Sequence, residues 1–134
     1  MSIVAVRAAL QTKLNGMAAL ATAWENVGYT PVAGTPYQAA YVMPAIPDNP
    51  TMGDGYYQEQ GIFQISLFYP LAVGTAVAEA RAQLIRSTFK RGTSMTSGAV
   101  TVRIDKTPEI GQGRVDGDRW HIPVRVRWFA GVTP

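Results

Sequence analysis

The chain contains no cysteine and a single histidine, His121. Without thiols there is no disulfide framework and no thiolate chemistry, and without a second imidazole or a cysteine no zinc set can be completed. An intracellular origin fits this. Charged residues are scarce at 16%, yet hydrophobic ones reach 47%, which argues against disorder. No apolar run approaches the roughly 18 residues of a membrane span, and the N-terminus lacks the basic-then-apolar layout of a signal peptide. A soluble, non-exported protein with no membrane partner is the expectation. Dense Lys/Arg runs and known nucleic-acid modules are also missing, so no specific nucleic-acid partner is expected.

Catalytic patterns are equally thin. Gly111-Gln112-Gly113 does not open a helix after a strand, so it is no phosphate-binding fingerprint. Ser66, Ser87, Ser94 and Ser97 sit in no nucleophile elbow. Asp116 and Asp118 flank Gly117 without a third carboxylate at a fixed offset, which reads as a solvated turn rather than a cation site. His121, on a strand face beside Arg125 and Arg127, reads as structural. The expectation is a protein that is not an enzyme and holds no cofactor and no metal.

The chain is 134 residues long, enough for one domain over 1–134 with a real core. Its net charge of +3 conceals an asymmetry: residues 1–80 carry two basic and five acidic side chains, residues 81–134 ten and four. Complementary surfaces meeting between copies would follow from such a split.

Periodicity supplies the elements. Ser2 is placed to cap a first helix in which Ile3, Val6, Leu10, Leu14 and Met17 recur at three- and four-residue steps, with Asn15-Gly16 as a stop. Trp24 to Val27 reads as a short extended piece and "YQAAYVMP", residues 37–44, as a strand ended by Pro44. The Pro/Gly-rich segment 43–55 reads as a long loop. A second helix is expected from about Thr75 to Lys90, with Val77, Leu84, Ile85, Thr88 and Phe89 on its buried face and Gly92 as terminator. Alternation then marks strands at 100–105 and 120–129, with Pro123 pointing to a sheet edge or a distortion, joined by a fourteen-residue loop over 105–118. The predicted fold is α+β: a mostly antiparallel four-stranded sheet packed on two helices, in the order α-β-β-α-β-β, with two long loops.

One strand outruns its core. Phe63, Ile65, Leu67 and Tyr69 alternate with polar residues as a half-buried strand should, but Tyr56, Tyr57, Gln58, Glu59 and Gln60 continue it with polar residues on both faces. Either this extension projects, its free backbone inviting another chain, or it is loop with a bend or bulge at Gly61. Arg103, Arg125 and Arg127 form a basic strand face, a second surface in search of a neighbour.

Trp24-Glu25-Asn26, Pro36-Tyr37-Gln38, Glu59-Gln60-Gly61, the Phe89-x-Arg91-Gly92 helix end and Gly117-Asp118-Arg119-Trp120 carry a family resemblance that extends from Ile3 to Trp128. The chain resembles the small tail proteins of long-tailed bacteriophages and prophages, in the group of the lambda-like tail terminator. The resemblance implies a ring, expected to be a hexamer, that binds the last ring of the tail tube protein, stops polymerisation and offers its other face to the head-tail connector protein. It implies a subunit that is monomeric until the tube templates it, assembles in the host cytoplasm, and ends at the neck end of the virion tail. It carries over no catalytic residue. The candidate contact residues are Tyr56, Tyr57, Gln58 and Glu59 on the extension, Arg103, Arg125 and Arg127 on the basic face, and Arg114, Asp116 and Asp118 in the 105–118 segment. A connector, neck or tail-tube subunit is the alternative within the same architecture, and a DNA-binding accessory protein a more distant one.

Overall fold

The computed structural model describes residues 2–53 and 55–133. The cap expected of the Ser2 side chain, and Asp54 of the Pro/Gly-rich loop, lie outside the described residues. Helix α1 spans Ser2–Asn15 and buries Val6, Ala9, Leu10 and Leu14, the stripe its spacing requires. It ends at Gly16, whose N–H reaches the Thr12 carbonyl at 3.1 Å. There follow strands β1 (Ala21–Trp24), β2 (Tyr37–Pro44) and β3 (Tyr57–Pro70), helix α2 (Ala76–Thr88), then β4 (Ser94–Ser97), β5 (Val100–Ile104), β6 (Glu109–Ile110), β7 (Arg114–Asp116) and β8 (Arg119–Val132).

These strands form one sheet in the order β1-β2-β3-β8-β5-β4, with β6 and β7 also paired to β8. The expected four-stranded, mostly antiparallel sheet in the order α-β-β-α-β-β is therefore corrected: among the described residues three strands follow α1 and five follow α2, eight in all, and the sheet is mixed because β1 runs parallel to β2. β1 is an Ala-rich tetrapeptide that becomes a strand only by pairing Ala21–Trp24 with Tyr37–Ala40. The connection over 25–36 supplies the dozen or so residues a parallel return needs. It opens on a turn, with Asn26 at φ 57, so the extended piece expected at Trp24–Val27 stops at Trp24. β4 and β5 form a tight hairpin across Gly98-Ala99, too short for periodicity to reveal. The segment 105–118, expected as a loop, folds back on β8 as β6 and β7, and closes with a two-residue turn at Gly117-Asp118 where Gly117 adopts φ 62.

The extension of β3 has its explanation in β8. Both strands are fourteen residues long and pair end to end, from Tyr57 opposite Val132 to Pro70 opposite Arg119, without a slip. On its other side Gln58 exchanges backbone hydrogen bonds with Asp48 at 2.8 and 2.9 Å, and the Gln60 carbonyl accepts the Ala45 N–H at 2.8 Å. Backbone left free for another chain, and a bulge at Gly61, are both overturned by this pairing. Gly61 is glycine for a different reason: the Trp128 indole and the Met43 carbonyl occupy the space a side chain there would need.

Pro123 lies in the central strand β8 opposite Ser66, not at an edge. Its carbonyl accepts the Gly111 N–H at 2.8 Å. A strand residue's nitrogen and carbonyl point the same way, so the missing donor faces the gap between β6 and β7 and the ladder to β3 loses nothing.

Both helices pack on one face of the sheet, over Phe63, Ile65, Leu67, Val124, Val126 and Trp128. α2 turns Ala78, Arg81, Ala82 and Ile85 inward, followed by Phe89. The expectation that Val77 and Leu84 mark its buried face is corrected: they are 63% and 41% exposed, whereas Arg81 is 8% exposed. Small alanines at 78 and 82 let the helix lie close to the sheet, and that roll carries the larger side chains outward.

Candidate functional site

Strand alternation sends Tyr37, Tyr41 and Met43 of β2, Gln58, Ile62, Gln64 and Phe68 of β3, and His121, Arg125, Arg127 and Phe129 of β8 to the face without helices. The two ends of this face differ. At one end aromatic rings run across three strands: Tyr29 to Tyr37 at 5.2 Å between centroids, Tyr37 stacked on Phe68 at 4.8 Å, and Phe68 stacked on His121 at 4.7 Å. Arg119 stands 5.1 Å from the Tyr37 ring centre and donates to the carbonyls of Thr35 and Val32, which pins the 29–35 loop over the ladder.

His121 is buried there with neither ring nitrogen hydrogen-bonded, and the Asp116 Oδ2 lies 3.8 Å from its Nδ1. Burial lowers its pKa, Arg114 and Arg125 add to the effect, and Asp116 opposes it. A neutral imidazole stacked on the Phe68 ring is a structural element.

The other end is open. Tyr41, Met43, Arg103 and Arg127 are exposed, and Arg125 donates from Nη1 to the Glu109 Oε1 at 3.1 Å. Arg103 sits opposite Phe129, so Arg103, Arg125 and Arg127 share one basic, partly apolar surface. Among the described residues Arg103 and Arg127 have no carboxylate partner.

The remaining candidates are scattered. Tyr56 covers Gly131, where a Cβ would stand 2.7 Å from its phenol oxygen. Tyr57 is half-buried opposite Val132, and Gln58 shares the helix-free face, its Nε2 3.4 Å from the Gln60 Oε1. Glu59 follows the alternation of Phe63 to the helix side and is buried. Arg114 and Asp116 flank His121, and Asp118 is exposed in the β7–β8 turn.

Two features carry no signal in the sequence. The outward face of α2 presents Val77 and Leu84, continued by Leu71 and Val73 in the loop before it, all exposed. Beneath that helix Arg81 donates from Nη1 to the Ala18 carbonyl at 2.6 Å, and from Nε and Nη2 to the Gln38 Oε1 at 3.4 and 3.2 Å. An arginine at this helical spacing reads as solvent-facing, and only residues distant in the chain draw it inward.

The architecture is that of an α+β protein with two unlike faces, one sealed by helices and one half uncovered. The family model described as phage tail terminator protein matches residues 5–128, and the chain belongs to that family. It is a structural protein of the phage tail, located in the virion tail and assembled there with other tail proteins. A solved structure known only by a sequence identifier is 30% identical, with a TM-score of 0.81, over 100% of this chain and 99% of the other. A chain from the virion of a native gene transfer agent particle shares the fold at TM-score 0.68 and 21% identity, over 97% of each chain. No curated protein matches.

Proposed function

We propose that this protein forms a ring on the head-proximal end of the tail tube, stops tube polymerisation there and presents its opposite face for head attachment. The family match over residues 5–128 carries this reading. The likeness to a chain of a gene transfer agent virion is in keeping with it. A ring of identical subunits, expected to be a hexamer, needs two different and complementary surfaces on each copy. The open basic end of the sheet, with Arg103, Arg125, Arg127, Tyr41 and Met43, is one candidate. The Val77–Leu84 face of α2, on the opposite side of the molecule, is the other. Residues 45–56 and the Gly117-Asp118 turn are the segments we assign to the tube protein and the connector protein. The free subunit is a monomer in the host cytoplasm, and the tube end templates its closure.

Electron microscopy of particles made without this gene is the test. Overlong, irregular tails unattached to filled heads are the expected outcome, restored by the wild-type gene and not by Arg125→Glu/Arg127→Glu, whose monomer remains folded. Tails of normal length beside separate heads would instead assign the joining step.

A further inference from the structure

We propose that the cleft between the end of α1, strand β1 and helix α2 is a carboxylate-binding site that receives an acidic side chain of an adjoining tail protein. Only the source of the carboxylate rests on the assembly reading above; the site itself rests on Arg81. Arg81 is 8% exposed and stays charged, since guanidinium does not deprotonate in proteins. A buried charge needs a counter-charge, and among the described residues this one has only neutral acceptors, the Gln38 amide oxygen and the Ala18 carbonyl. The ion pairs among the described residues lie elsewhere, Arg7 with Glu25 and Arg125 with Glu109, and Asp116 stands beside the neutral His121. Those three hydrogen bonds use three of five guanidinium N–H groups and leave one on each terminal nitrogen.

Beside the guanidinium lies a cleft of about 410 Å³. Buried Leu14, Gln38 and Arg81 line its floor, and exposed Asn15, Ala18 and Ala19 its mouth, so it is open to solvent. The donors are set in place beforehand. Thr22 Oγ1 donates to the Leu20 carbonyl at 3.0 Å and accepts from the Gln38 Nε2 at 3.0 Å, which turns the Gln38 oxygen toward Arg81. A fixed fork with unused N–H groups at a wet cleft is the chemistry that holds a carboxylate.

The test is nitrogen-15 NMR of the full chain, following the Arg81 Nε–H and the amides of Ala18, Leu20 and Thr22. The probes are acetate, a blocked Gly-Glu-Gly peptide and its Gln counterpart. Saturable shifts with both carboxylate probes, absent with the Gln peptide and lost in Arg81→Met, are expected, with the peptide binding more tightly than acetate. Should Arg81→Met fail to fold, Arg81→Lys, which keeps the charge without the fork, is expected to weaken binding by at least about tenfold. Tighter binding of acetate would reassign the cleft to a free carboxylate and overturn the protein-borne occupant. No saturable shift in the wild type, or shifts spread over Arg103 and Arg127, would overturn the site. Normal tails in particles lacking the gene would sink the ring-cap reading and leave these spectra unchanged.

Discussion

The indole of Trp128 fills the space above Gly61: a side-chain carbon at residue 61 would stand 2.9 Å from the Trp128 Cζ2 and closer still to the Met43 carbonyl oxygen. The close approach links β2, β3 and β8 at the point where the polar part of β3 begins. Gly61→Ala is expected to cost about 1–3 kcal/mol through overpacking. Gly55→Ala, where nothing lies within 4 Å, should stay within about 0.5 kcal/mol of wild type. Urea denaturation reads both, and equal midpoints would mean that Trp128 and the Met43 carbonyl both yield freely.

Glu25 ties α1 to β2 through a single oxygen, which accepts the Arg7 Nη1 at 2.8 Å and the Val42 N–H at 2.6 Å. Burial pushes its pKa up, but the Arg7 hydrogen bond, the Val42 amide and the Arg7 charge together bring it below the ordinary value. The folded carboxylate therefore binds a proton less readily than the unfolded one. Its contribution is complete above the unfolded pKa of about 4.3 and is lost as pH falls through the lower folded value. Glu25→Gln should cost roughly 1 kcal/mol at pH 7, a modest figure because the pair is one-third exposed. The gap to wild type should close in acid; a gap constant down to about pH 3 would refute the charge-based account.

His121 responds to acid in the same direction by a different route. Burial first, then Arg114 and Arg125, lower its pKa in the folded state. The unfolded chain then binds the proton more readily, so stability is complete above the unfolded value of about 6.5 and declines as pH falls below it toward the folded value. His121→Phe keeps a ring on Phe68 and removes the titration. Thermal unfolding between pH 7.5 and 5.5 should show a falling Tm in wild type and a flatter profile in the variant, and parallel profiles would rule His121 out as the cause.

Val77 and Leu84 are exposed on a helix whose neighbouring Ile85 is fully buried. Val77→Ser/Leu84→Gln should leave stability within about 1 kcal/mol of wild type while reducing tail completion. Ile85→Ala should cost about 2–5 kcal/mol, with assembly failing through unfolding. Complete tails from the double variant would remove this face from the proposed ring contacts.

Strong local periodicity made the long elements legible. The three- and four-residue steps of Val6, Leu10 and Leu14 identify α1, and the alternation around Phe63 and around Val124 identifies β3 and β8. The same regularity misled at α2. Val77 with Leu84, and Ala78 with Ala82 and Ile85, are both apolar stripes, and nothing local chooses between them. The sheet chooses, because the alanine stripe allows closer approach.

Composition and local pattern alone decided that this chain folds around helices and long alternating strands, carries its basic residues toward its C-terminal end, and bears the residue groups by which its tail family is recognised. Tertiary structure alone decided the rest. β1, β4, β6 and β7 run for two to four residues each and have too few alternations to declare themselves; they exist because a longer strand offers them a ladder. Arg81 is buried because Ala18 and Gln38, 63 and 43 positions away, supply its acceptors, and contacts across such separations leave no trace in a local pattern.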